Sequence, residues 1–158
     1  MNKNLVERLA FLQRVVTKEI KHLNYSSMQV FKEPLTIERV ASLATDEDLA
    51  EKVEAFTSRF SRLQDTVGDK LLPTWLNALG EQTGAAIDNL DKAEKLGVLA
   101  SADQWLEIRQ LRNQMIHEYI EAIEVLTNAL QAAHDYQQEL INLAQAILND
   151  VNNRNLIN

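Results

Sequence analysis

From Val125 to Val151 apolar residues fall at three- and four-residue intervals: Val125, Leu126, Ala129, Leu130, Ala133, Leu140, Leu143, Ala144, Ile147, Leu148 and Val151. No glycine or proline interrupts them. A face repeated at that spacing belongs to an α-helix, because a strand presents the same face every second residue. So long an amphipathic helix needs other helices to cover its stripe, and the rest of the chain supplies them. With 4 glycines and 2 prolines in 158 residues, there is little material for the tight turns of a many-stranded sheet.

Leu5, Leu9, Leu12, Val16, Ile20 and Leu23 mark a first helix of the same kind. Asn24–Pro34 breaks the pattern and reads as a loop, followed by a short helical piece over Ile37–Ala44. Thr45 is a suitable N-cap, with Asp46, Glu47 and Asp48 in the first turn where the helix dipole favours them. The helix it opens runs through Val53, Phe56, Phe60, Leu63 and Val67, and Gly68 and Pro73 bend or interrupt it before Trp75–Leu79. Ala85–Leu96 forms a further helix with Gly97 as its C′ residue, and Ser101 with Gln104 makes a capping box for the next. Without internal repeats or linkers, the pattern predicts one all-α domain over residues 1–158, an up-and-down bundle of four to five helices.

The chain has no cysteine, which excludes disulfides, zinc–thiolate centres and thiol nucleophiles. Charges fall within the first ten residues, so the start does not read as a signal peptide, and no stretch approaches ~18 uncharged apolar residues. A cytoplasmic protein with no membrane partner is expected. The formal net charge is −7, unevenly spread: Lys3, Arg8, Arg14, Lys18 and Lys21 lie near the start, whereas no Lys or Arg occurs from Asn113 to Asn153. Most of this surface repels a polyanion, so DNA is not expected as a partner and RNA could approach only a local basic site.

The helix opening near Asp103 departs from simple amphipathicity. With about 100° per residue, Arg112 falls inside the arc formed by Leu111, Met115, Ile108 and Ile116. An inward arginine must be paired or must line a functional cleft, since an isolated buried charge costs several kcal/mol. The plain alternative is a structural salt bridge to Asp65 or Asp69. His117 lies about 140° from Arg112 on a straight helix. For both to act on one phosphate, the helix end must distort or a second chain must contribute. His22 and His134 lack neighbours at metal-ligand spacing, so neither a metal nor another cofactor is expected.

The string RNQMIHEY, Arg112 to Tyr119, matches the Arg-x4-His-x-Tyr signature of HEPN domains, including the asparagine that often follows the arginine. The chain resembles the prokaryotic HEPN proteins encoded beside minimal nucleotidyltransferases. FSRLQDTVGDKLLP (Phe60–Pro73) is similar to the polar second helix of that group, and His117–Tyr136 to the passage into its last helix. The likeness covers roughly residues 50–150, leaving residues 1–45 without a named motif.

The resemblance implies a helical homodimer with the motif helices at the interface, acting as a metal-independent endoribonuclease toxin. Arg112 would hold and polarise a phosphate, and His117 would assist proton transfer at the ribose 2′-OH. Asn113 would orient His117, and Tyr119 would be the residue to which a nucleotidyltransferase antitoxin adds AMP. Arg62 and Asp65, three residues apart on the helix expected to face the motif, support the site or form a plain surface ion pair. Trp75 and Trp105 read as core anchors, and Tyr119 could equally be a buried aromatic. Two other readings stay open: a non-catalytic substrate- or nucleotide-binding subunit that docks a minimal nucleotidyltransferase, and a purely structural helical dimer.

Overall fold

The computed structural model describes residues 2–117 and 122–157, with His117 described by its backbone alone. It is an all-helical bundle, with no strand among the described residues. The elements are α1 (Lys3–Phe31), α2 (Ile37–Ala41), α3 (Glu47–Thr66), α4 (Leu72–Ala78), α5 (Ala86–Lys95), α6 (Ala102–His117) and α7 (Ile123–Asn153). A 3₁₀ turn, Ser42–Ala44, precedes α3, and a π-helical segment, Val67–Leu71, joins α3 to α4. No helix among the described residues is long and apolar enough to cross a membrane.

Capping residues account for several helix boundaries. Asn2 caps α1 by accepting from the Asn4 N–H at 2.8 Å, and Ser101 Oγ accepts from the Gln104 N–H at 3.1 Å at the start of α6. Gly97 takes φ +82°, so that the Val98 N–H reaches back to the Ala93 carbonyl at 3.1 Å and closes α5. At α3 the capping residue is Asp46 rather than the expected Thr45. Its Oδ1 accepts from the Leu49 N–H at 3.0 Å, while Thr45 is used in closing the 3₁₀ turn.

The loop expected at Asn24–Pro34 is corrected in the structure: α1 continues to Phe31 before the turn at Lys32–Pro34. Three of the polar residues that break the apolar pattern, Asn24, Ser26 and Ser27, bond to neighbouring helices. Gln137 Nε2 donates to Asn24 Oδ1 at 3.0 Å, Arg59 donates to Ser26 Oγ at 2.6 Å, and Ser27 Oγ pairs with His134 Nδ1 at 3.0 Å. The His134 ring also stacks on Phe31 with centroids 3.8 Å apart, and burial pushes the imidazole below its ordinary value despite nearby Asp135.

One cluster of buried apolar side chains joins the helices, with Phe56, Phe60, Leu63, Trp75, Leu90, Trp105, Leu130 and Leu140 among its members. Both tryptophans are 2% exposed, as anchors should be. The Trp75 indole donates to Asp150 Oδ2 at 2.8 Å, tying α4 to α7. Trp105 ties α6 to the end of α3. Its ring lies so close to Gly68 that a Cβ there would meet Trp105 Cζ2 at 2.9 Å, and Gln64 Nε2 donates to the Trp105 carbonyl at 3.3 Å. Gly68 and Pro73 therefore do not end the helical path. They sit in and just after a π-helical segment whose bare glycine admits the indole.

Gly→Ala in a helix interior ordinarily stabilises by about 0.5–1 kcal/mol. Gly68→Ala is expected to do the opposite, lowering unfolding free energy by about 1–3 kcal/mol because a rigid ring must move. Urea denaturation of the two proteins measures the sign.

Candidate functional site

Because Trp105 is fixed against Gly68, the face of α6 that carries it is fixed against α3. Arg109 and Arg112 lie four and seven residues further along that face. On the other side, Asp65 and Asp69 flank Gly68. Arg112 Nη1 donates to both oxygens of Asp65, at 2.8 and 2.9 Å. Arg109 Nη1 lies 3.0 Å from Asp65 Oδ1 and 3.5 Å from Asp69 Oδ2. One carboxylate is thus shared by two guanidinium groups. Arg112 is partly buried, its side chain 29% exposed.

The cluster borders a cleft of about 690 Å³ along the polar stripe of α3. Glu54, Thr57, Ser58, Ser61, Arg62 and Asp65 follow one another at helical spacing down one wall. Thr66 and Lys70 extend it, and α6 contributes Arg112, Met115 and Ile116. Three cationic side chains face two acidic ones here, in a chain whose net charge is −7. The Ser61 hydroxyl is buried and has no hydrogen-bond partner among the described residues. Arg62 is exposed and forms no ion pair within 4 Å among the described residues.

Behind Arg62 lies a smaller pocket lined by Glu19, His22, Arg59 and Arg62. Burial pushes the Glu19 carboxyl above its ordinary value. The hydrogen bond from Thr66 Oγ1, at 3.1 Å, and the charges of Arg62 and Lys70 pull it back down. Helix α1, for which the sequence names no motif, therefore contributes an ionisable group beside the cleft.

Of the residues singled out from sequence, the structure gathers Arg112, Asp65 and Arg62 at one cleft. Asp65, one of the two acids expected to meet Arg112, is its partner, while Asp69 reaches Arg109 instead. Asn113 is exposed and does not line the cleft. His117 directly follows the cleft-lining Ile116 on α6; its side chain and Tyr119 lie outside the described residues. Among the described residues no three His, Asp or Glu side chains gather as metal ligands would.

Sequence reasoning missed Arg109, Lys70, Glu19 and the hydroxyl row Thr57, Ser58, Ser61 and Thr66. Two signals were available: Arg109 precedes Arg112 by one turn, and the α3 stripe is polar where a core-facing helix would be apolar. Comparison with protein-family models, curated proteins and solved structures finds no match to this chain.

Sharing Asp65 alters what removal of one arginine costs. Arg112→Leu is expected to lose no more than about 1.5 kcal/mol, because Arg109 still holds the carboxylate. Arg109→Leu should behave likewise. The double variant strands Asp65 and should lose about 1 kcal/mol more than the two single losses together. Denaturant melts of the four proteins read this non-additivity directly.

Proposed function

We propose that this chain is a metal-independent endoribonuclease of the HEPN type, acting as the toxin of a toxin–antitoxin pair. The observation that carries the reading is the excess of cationic over acidic side chains lining the cleft, with Arg112 on its wall. An acidic chain receives RNA best where cations locally outnumber acids, and the count at this cleft, three against two, supports that reading.

In this reading Arg112 holds a non-bridging phosphate oxygen and stabilises the charge that builds there. His117 helps move the proton from the ribose 2′-OH as that oxygen attacks phosphorus. The new 2′-O–P bond forms as the P–O5′ bond breaks, and the departing 5′-oxygen takes up a proton. The products are a cyclic 2′,3′-phosphate and a 5′-hydroxyl end. Arg62 and Lys70 would draw neighbouring phosphates. A two-fold homodimer that pairs the ends of α6 would bring the two halves of a site together. Ile116 and Val125, exposed apolar residues on either side of residues 118–121, suit such an interface. A minimal nucleotidyltransferase would silence the toxin by adding AMP to Tyr119.

The Asp65–Arg112 bond favours a second reading. A guanidinium already engaged by a carboxylate suits a cleft that binds rather than cleaves. On that reading the chain is a non-catalytic subunit that presents a substrate or nucleotide to a docked minimal nucleotidyltransferase.

Expression of the wild type alone should arrest growth, and the purified protein should cleave RNA in the presence of EDTA, leaving cyclic-phosphate or 3′-phosphate ends. His117→Ala and Arg112→Ala should each reduce cleavage by about 100-fold or more without loss of the fold. Tyr119→Phe should cleave normally yet escape AMP transfer. Wild type and His117→Ala equally harmless in cells and inert on RNA, both still binding the transferase, would replace the nuclease with the binding subunit.

A further inference from the structure

Asp65 stands where an anionic ligand of Arg112 would stand. Its two oxygens take both bonds from Arg112 Nη1, at 2.8 and 2.9 Å, and Arg112 lines the cleft. A phosphate oxyanion can engage Arg112 Nη1, the nitrogen given to Asp65, only by displacing the carboxylate, and a displaced, half-buried carboxylate is costly unless another cation keeps it. Arg109 is that cation. It already holds Asp65 Oδ1 at 3.0 Å, and it does not itself line the cleft. Asp69, 3.5 Å from the same Nη1, anchors the Arg109 head from the other side.

We propose that Asp65 is an exchangeable counter-ion and Arg109 the positioning residue that permits the exchange: an incoming phosphate oxyanion takes Arg112 while Arg109 retains Asp65. The inference rests on the reading of the cleft as a phosphate site but requires no bond cleavage. At rest, Arg112 is held in place by Asp65, so no freely solvated arginine has to be ordered when ligand arrives. With ligand bound, the cleft loses none of its compensation, because the acid has only changed the number of its partners. The ligand to which the cleft commits is a phosphodiester, whose flanking charges Arg62 and Lys70 would meet.

The test is calorimetric titration of the full chain with two probes: inorganic phosphate, and a 2′-O-methyl oligoribonucleotide that cannot form a cyclic phosphate. Tighter binding of the oligonucleotide supports a phosphodiester ligand; tighter binding of free phosphate overturns that part of the proposal. In the wild-type background Arg109→Gln should weaken binding of either probe about fivefold or more, because Asp65 is then left with Arg112 alone. Arg109→Lys, which keeps one charged bond to Asp65, should recover most of the affinity. Asp65→Asn should strengthen binding, and in that background Arg109→Gln should have little further effect, which separates positioning from a plain loss of positive charge. An undiminished Arg109→Gln effect in the Asp65→Asn background, or no binding of either probe by the wild type, would overturn the proposal. Binding with the expected cycle by a chain that cleaves no RNA would retire the ribonuclease reading and leave the exchange standing.

Discussion

The site depends on an indole packed against a glycine. Trp105 can approach α3 as closely as it does because Gly68 has no Cβ, and every later contact between α3 and α6 inherits that approach. The interface reads as two registers laid over one another: Trp105, Arg109 and Arg112 along α6, and Gln64, Asp65, Gly68 and Asp69 along the end of α3 and the π segment. Moving forward from Trp105 to Arg112 corresponds to moving back from Gly68 to Asp65, so the two helices run antiparallel here. Apolar burial sets the distance, and the ion pairs, each partly exposed and modest in worth, report it.

The π-helical segment belongs to the same device. Widening the turn at Val67–Leu71 alters the angular positions of the residues after Thr66 relative to a continuous α-helix. Val67, Gly68 and Leu71 are buried there, while Asp69 and Lys70 remain exposed, Lys70 lining the cleft. Pro73 follows at the first turn of α4, a position that tolerates its missing N–H. A segment composed for a plain helix would keep Ala or Leu at position 68 and would gain propensity at the expense of the indole's seat.

Much of this was legible in the chain because it is written locally. Three- and four-residue periodicity located the long helices, and Gly97 and Ser101 marked their boundaries. The position of Arg112 within an apolar arc called for a paired acid or a functional cleft, and the polar second helix offered Asp65 or Asp69. What escaped notice depends on partners far away in sequence. Asn24, Ser26 and Ser27 look like loop residues until Gln137, Arg59 and His134 are placed against them. Glu19 looks like one more exposed charge of α1 until Thr66, Arg62 and Lys70 surround it. Arg109 looks like a solvated helix residue until Asp65 is seen to have room for two guanidinium groups. The roles proposed for His117 and Tyr119 come from the motif string.

Steric access at Gly68, rather than attraction between charges, places the arginines over Asp65. A crystal structure of the Gly68→Ala protein tests it most directly. Trp105 should be displaced from its seat, α6 moved away from α3, and both Arg109 and Arg112 more than ~4 Å from Asp65, with the packing of α1 against α3 unchanged. Trp105 displaced but both arginines still bonded to Asp65 would contradict it, and would make the ion pairs the cause of the interface rather than its consequence.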